Sequence, residues 1–117
     1  MITGIGLDVT EIDRIESALK RTTRFAKRIL TQYEHERFSH LSKRRQIEFL
    51  AGRFAAKEAY SKATGTGIGR ECSFQDIEIR SNELGKPYLY FKEKKVKGFV
   101  SITHTKQFAA AQVVLVE

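Results

Sequence analysis

Two carboxylates without an evident ion-pair partner stand far apart in the sequence, Asp8 in GIGLDVT and Glu58 in RFAAKEAYSK. Such a pair suits a hard, oxygen-seeking cation such as Mg²⁺. That ion takes one or two protein carboxylates and completes its shell with water and substrate phosphate oxygens. Lys62 follows Glu58 by one helical turn, where its ammonium would meet the same phosphates. An ordinary Glu58–Lys62 pair on an exposed helix is the plainer alternative, and it contributes only a few tenths of a kcal/mol. Ile47, Leu50, Ala51, Phe54, Ala55 and Ala59 recur at three-and-four spacing, and this pattern puts both charged residues on the stripe that the helix turns to the core. An unpaired buried carboxylate is costly, so the site is expected to supply Glu58 with a cation. His104 closes the strand-like run SITHT; a lone histidine there is more often structural or exposed than a ligand.

The elements that must carry these side chains can be read from periodicity. In Gly4 to Thr10, Ile5, Leu7 and Val9 alternate with Gly6, Asp8 and Thr10, the period of a half-buried strand. Asp8 is expected to point away from the apolar face, with small neighbours leaving room beside it; capping the next helix is its plainer role. Ile12, Ile15 and Leu19, then Ala26, Ile29 and Leu30, form one helical stripe with a break near Thr22 and Thr23. Arg14, Arg21, Arg24 and Arg28 project from nearly the opposite side, bordered by Phe25. That face is either simply solvated or a docking surface, and Phe25 is either a core edge or an apolar anchor.

Thr31 and Glu34 form a capping box that starts a short helix, and the long helix runs from about Ser42 to Thr64. Gly65, Gly67 and Gly69 in GTGIG end it, as a helix cap with a loop or, more weakly, as a phosphate cradle. Strand-like segments follow at Phe74–Arg80, Tyr88–Phe91, Gly98–His104 and Gln107–Val116, with NELGKP as the turn between the first two. One strand, three helices and a strand-rich, antiparallel C-terminal half predict an α+β fold in one domain, residues 1–117.

The bulk numbers narrow the classes. A chain of 117 residues with 41% hydrophobic content fits a single core. One cysteine, Cys72, allows no internal disulfide, and the N-terminal stretch lacks the pattern of a signal peptide, so a cytoplasmic location is expected. No segment has the length and apolarity of a spanning helix. The net charge of +7 resides between Lys20 and Arg45, which points to an acidic partner.

GIGLDVTEIDRIE at 4–16, RFAAKEAYSKATGTG at 53–67, GKPYL at 85–89 and SITHTKQFAAAQVV at 101–114 resemble the four landmarks of bacterial holo-acyl-carrier-protein synthase, the small 4′-phosphopantetheinyl transferase type. The resemblance runs in register over almost the whole chain. It implies transfer of the phosphopantetheine arm of coenzyme A to a serine of apo acyl carrier protein, in fatty acid biosynthesis, with release of adenosine 3′,5′-bisphosphate. Asp8 and Glu58 match the family's Mg²⁺ ligands and, with Lys62, its catalytic residues. Lys62, Ser61, Gly65, Gly85, Lys86, Pro87 and His104 match positions that hold coenzyme A. Arg14, Arg21, Arg24, Phe25 and Arg28 match the carrier-docking helix. The resemblance further implies a homotrimer with sites between subunits, and no nucleic-acid or membrane partner.

Two departures are mild: Thr103 precedes His104 where a serine is expected, and Phe108 stands where a tyrosine is usual. Glu58 acting through a water is a candidate general base. A small basic nucleic-acid-binding module is the alternative reading; it explains the charge but not Asp8, Glu58 and Lys62.

Overall fold

Two glycines near the start of the chain decide how sheet and helix meet. A computed structural model describes residues 1–117. The first strand, β1 (Ile2–Glu11), lies against the long helix α4 (Lys43–Thr64). A Cβ on Gly6 would stand 1.8 Å from the Ala59 carbonyl oxygen, and one on Gly4 2.1 Å from that of Ala63. Only glycine lets the two backbones approach this closely. The small side of the strand therefore faces α4, with Gly6 and Thr10 buried.

This reverses the expected orientation. Ile5, Leu7 and Val9 do not enter the core; they are 59%, 57% and 60% exposed. Asp8 does lie on the opposite side from them, but that side faces the helix.

Between β1 and α4 the chain forms α1 (Ile12–Arg21), α2 (Arg24–Ile29) and α3 (Gln32–Ser39). The break at Thr22 and Thr23 is present and is sharp enough to make two helices, so there are four helices instead of three. The Thr31–Glu34 capping box starts α3, the Thr31 side chain accepting from the Glu34 amide and the Glu34 carboxylate from the Thr31 amide. Gly65 ends α4 in the left-handed conformation with φ of 85°.

After a 3-10 turn at Phe74–Asp76, where a strand was expected, come β2 (Ile77–Ser81), β3 (Pro87–Phe91), the two-residue β4 (Lys94–Lys95), β5 (Gly98–His104) and β6 (Phe108–Val116). All pairings are antiparallel, in two three-stranded sheets ordered β1-β6-β5 and β2-β3-β4. The NELGKP turn joins β2 to β3 as expected, with the Asn82 side chain accepting from the Leu84 and Lys86 amides and Gly85 at φ of 87°. The α+β architecture with one long central helix is the one predicted.

Helix α4 is packed by strands of both sheets and by the other helices. One core cluster lies between its C-terminal half and the strands, around Ala55, Ala59, Ile77 and Val113. The other lies between its N-terminal half and α1–α3, around Ile12, Ile29, Leu50 and Ala51. No helix is long and apolar enough to cross a membrane.

Candidate active site

The register of β1 brings Asp8 to the C-terminal half of α4. Asp8 pairs with Ala111 of β6, whose side chain is buried on the α4 side, so the carboxylate projects along the helix flank. There Lys62 Nζ donates to Asp8 Oδ1 and to the Leu7 carbonyl, both at 3.1 Å. The Thr10 hydroxyl donates to Asp8 Oδ2 at 2.7 Å. Glu58, one turn before Lys62, is half-buried. Burial first, then the nearby Asp8 carboxylate, push its carboxyl above the usual range, and Lys62 only partly offsets them.

Asp8, Glu58 and Lys62 thus form one cluster. Neither Glu58 nor Lys62 sits within the buried stripe of α4, contrary to expectation: Glu58 is at its edge and Lys62 is exposed. The charge inside is Lys57, 0% exposed, paired with Glu34 at 1%. Its ammonium donates to Glu34 Oε1 at 2.6 Å and to the carbonyls of Ile29 and Phe74 at 2.7 and 3.0 Å. Glu34 in turn accepts from the Thr31 and Ile79 amides. Burial pulls the Lys57 pKa down and Glu34 opposes it. The apolar spacing missed this pair because α4 is enclosed on more than one side, so its buried arc extends beyond a single stripe.

The donor set fits Mg²⁺. Burial and, after it, the Asp8 carboxylate both disfavour the charged form of Glu58, which a bound cation would offset. Two carboxylates are the donor count of a cation that keeps waters and substrate oxygens in its shell.

His104 lies elsewhere. It pairs with Ala109 at the end of β5, the far edge of the sheet from β1. It lines a cavity of about 170 Å³ with Arg45, Glu48, Gly52 and Arg53 from the N-terminal half of α4. Gly52 and Lys62 are about 15 Å apart along the helix axis. Glu48 pairs with Arg44 at 3.4 Å. Arg53 rests on the Phe49 ring at 4.2 Å, and its buried Nε has no hydrogen-bond partner. Burial lowers its pKa to about 10. That buried nitrogen belongs to a side chain otherwise partly exposed, which lines the cavity together with His104 and Arg45. Arg53, the first residue of RFAAKEAYSK, was passed over because a single arginine in a helical pattern carries no spacing signal.

The other predicted contacts are dispersed. Ser61 is fully buried, its hydroxyl donating to the Glu58 carbonyl at 2.7 Å. Gly65 caps α4 close to Lys62. Gly85, Lys86 and Pro87 form the β2–β3 turn, and Lys86 Nζ lies 6.0 Å from the ring of Phe99 on β5, again on the sheet edge away from β1. Arg14, Arg21, Arg24 and Arg28 are exposed on α1 and α2. Phe25 is half-buried with its ring 6.5 Å from that of Phe54, which makes it a core edge that also borders the arginines.

Residues 4–115 match the 4′-phosphopantetheinyl transferase superfamily. The chain belongs to that superfamily. Within the phosphopantetheinyl transferases it is 61% identical to the holo-[acyl-carrier-protein] synthase of Bacillus subtilis strain 168, over 98% of this chain and 96% of that one. Among solved structures, the holo-(acyl-carrier-protein) synthase of Bacillus anthracis in complex with CoA (3′,5′-ADP) superposes with a TM-score of 0.87 at 53% identity, covering 98% and 96%. The Helicobacter pylori enzyme in complex with coenzyme A does so with 0.82 at 34%, covering 97% and 99%. The fold is that of this transferase family.

Proposed function

We propose that the protein transfers 4′-phosphopantetheine from coenzyme A to a serine of apo acyl carrier protein, in fatty acid biosynthesis, as a Mg²⁺-dependent enzyme of the cytoplasm. The observation that carries the reading is the cluster of Asp8, Glu58 and Lys62, within a chain so similar to holo-acyl-carrier-protein synthases. Asp8 and Glu58 are the residues that would hold Mg²⁺, which supplies charge neutralisation at the pyrophosphate when bound.

The serine Oγ attacks the β-phosphorus of coenzyme A, and the bond from that phosphorus to the bridging oxygen of the α-phosphate breaks. Adenosine 3′,5′-bisphosphate leaves with the electron pair. Lys62 stabilises charge gathering on the phosphoryl oxygens. Glu58, acting by way of a water, is the candidate to take the serine proton. Mass spectrometry of apo carrier protein with this protein, coenzyme A and Mg²⁺ tests the reading; the expected result is a mass gain of one phosphopantetheine. No gain, together with tight binding to nucleic acid, would favour the alternative, for which the relatives offer no support.

The nucleotide end of coenzyme A falls to His104, Gly85, Lys86 and Pro87, with Arg53 and Arg45 as added phosphate partners. His104 lies on β5, with Arg45 and Arg53 beside it on the N-terminal half of α4, while Asp8 lies on β1 beside the C-terminal half of α4, which favours a homotrimer whose sites each draw on two subunits. The outward row of Ile5, Leu7 and Val9, with Phe99 across the sheet at 60% exposure, supports such an assembly, since apolar patches of this kind mark interfaces. Light scattering is expected to give three times the chain mass, and an active monomer would refute the assembly. Mixing His104→Ala with Glu58→Ala subunits restores activity if sites are shared and leaves none if they are not.

The arginine face of α1 and α2 docks the acidic carrier. Reversing Arg14 and Arg21 to Glu is expected to raise the carrier's KM by about tenfold or more and to flatten its salt dependence, with the KM for coenzyme A unchanged. Loss of coenzyme A affinity with the carrier's KM preserved would assign those arginines to the nucleotide instead.

A further inference from the structure

The six-residue helix α2 carries three of the carrier-docking residues, Arg24, Phe25 and Arg28, yet its own sequence does little to hold it. A helix this short is marginal by itself, and its N-cap residue, Thr23, makes no side-chain cap. At the other end, the last carbonyls of a helix have no following turn to serve them. Here those of Lys27, Arg28, Ile29 and Leu30 are all served by two side chains from later in the chain. Lys57 donates to the Ile29 carbonyl at 2.7 Å. Gln75 Nε2 lies 2.7, 3.2 and 2.7 Å from the carbonyls of Lys27, Arg28 and Leu30. Only the nitrogen of an amide can face three acceptors, and its two N–H groups share the three oxygens.

The segment that bears Gln75 is itself fixed. A second capping box frames the 3-10 turn, with the Ser73 hydroxyl accepting from the Asp76 amide at 3.2 Å and the Asp76 carboxylate from the Ser73 amide at 3.1 Å. The Phe74 carbonyl accepts from Lys57. The Phe74 ring stacks on that of Phe54 at 5.4 Å, and Phe54 borders Phe25 at 6.5 Å. The turn is thus pinned to α4 and reaches α2 by two routes, the aromatic row and the exposed side chain of Gln75. We propose that Gln75 is a positioning residue for carrier docking, clasping the C-terminal end of α2 so that Arg24, Phe25 and Arg28 stand at a fixed angle to α4. The proposal rests on the transferase reading. Side chains presented by an ordered helix lose less freedom when the carrier binds, so the clasp contributes to affinity without touching the carrier.

The test is Gln75→Met, which keeps the length of the side chain and removes its donors without changing charge. In steady-state transfer the carrier's KM is expected to rise by about five- to tenfold, with kcat and the KM for coenzyme A unchanged. A side chain that merely stabilised the fold would lower the active fraction and leave the carrier's KM where it was. In a protein already carrying Arg24→Ala and Arg28→Ala, the same change should raise that KM by less than about twofold, because Gln75 acts through those residues. Amide hydrogen exchange over residues 24–30 should quicken by about tenfold in Gln75→Met, with the centre of α4 unaffected. A parent protein that modifies no carrier would overturn the transferase reading and this role with it. A parent that transfers normally while Gln75→Met keeps the carrier's KM would overturn the role of Gln75 alone. So would an equal rise after both arginines are removed, or unchanged exchange across α2.

Discussion

Asp8→Ala and Glu58→Ala are each expected to abolish phosphopantetheine transfer while the fold stays intact. Removing one preorganised electrostatic partner of a reacting phosphate alone lowers turnover by about 10²–10³-fold. Under the proposed Mg²⁺ site the loss is expected to be larger, because either substitution would leave a single carboxylate to hold the metal. Circular dichroism should match the parent protein, and calorimetric Mg²⁺ titration in the presence of coenzyme A should show weakened uptake. Turnover near that of the parent from either variant would sink the assignment.

A pH signature is expected of Glu58. The Glu58 carboxyl is raised in the folded protein, chiefly by burial and then by Asp8. Its ionisation therefore costs stability, and that cost grows as pH rises from the ordinary Glu value through the raised one. In metal-free buffer, Glu58→Gln is expected to melt higher than the parent above that window and to show no advantage below it. Mg²⁺ with coenzyme A should erase the difference by stabilising the parent protein. A Glu58→Gln variant that melts lower than the parent at neutral pH would show that the ionised carboxylate stabilises the fold.

Much of this site could be read from the residues because its parts are local. The capping box at Thr31 and Glu34, the glycine cap at Gly65 and the Asn82–Pro87 turn each depend on neighbours within a few positions, and each is where the pattern placed it. Orientation was different. Alternation along β1 defines two faces but not which one meets a partner, and the usual choice put Ile5, Leu7 and Val9 inward. The deciding feature was tertiary, the close approach of α4 to Gly4 and Gly6. An apolar row turned outward also reads the same in sequence as one turned into the subunit core, since an interface and a core bury the same side chains. The separation of His104 from Asp8 follows from strand order, β1-β6-β5, which periodicity cannot supply.

Lys57 presents the largest expected effect on stability. Its ammonium serves three acceptors at once, the Glu34 carboxylate and the carbonyls that end α2 at Ile29 and begin the 3-10 turn at Phe74. Glu34 ties the same point to the start of α3 and, through the Ile79 amide, to β2. Four elements are thereby referenced to a single position on α4, next to Glu58. Lys57→Met removes the charge but leaves a buried carboxylate and two buried carbonyls without their donor. Breaking a buried pair from one side costs about 3–5 kcal/mol, which corresponds to a fall in Tm of roughly 10–20 °C for a domain of this size. Combining Lys57→Met with Glu34→Gln removes the stranded charge, so the double variant should be more stable than the Lys57→Met single, though less so than the parent because the two carbonyls stay unserved. The cycle is read from denaturant unfolding of all four proteins. If the two losses simply add, the ion pair contributes nothing beyond its separate hydrogen bonds, and the linkage of α2, α3 and β2 to α4 must reside in the surrounding apolar packing.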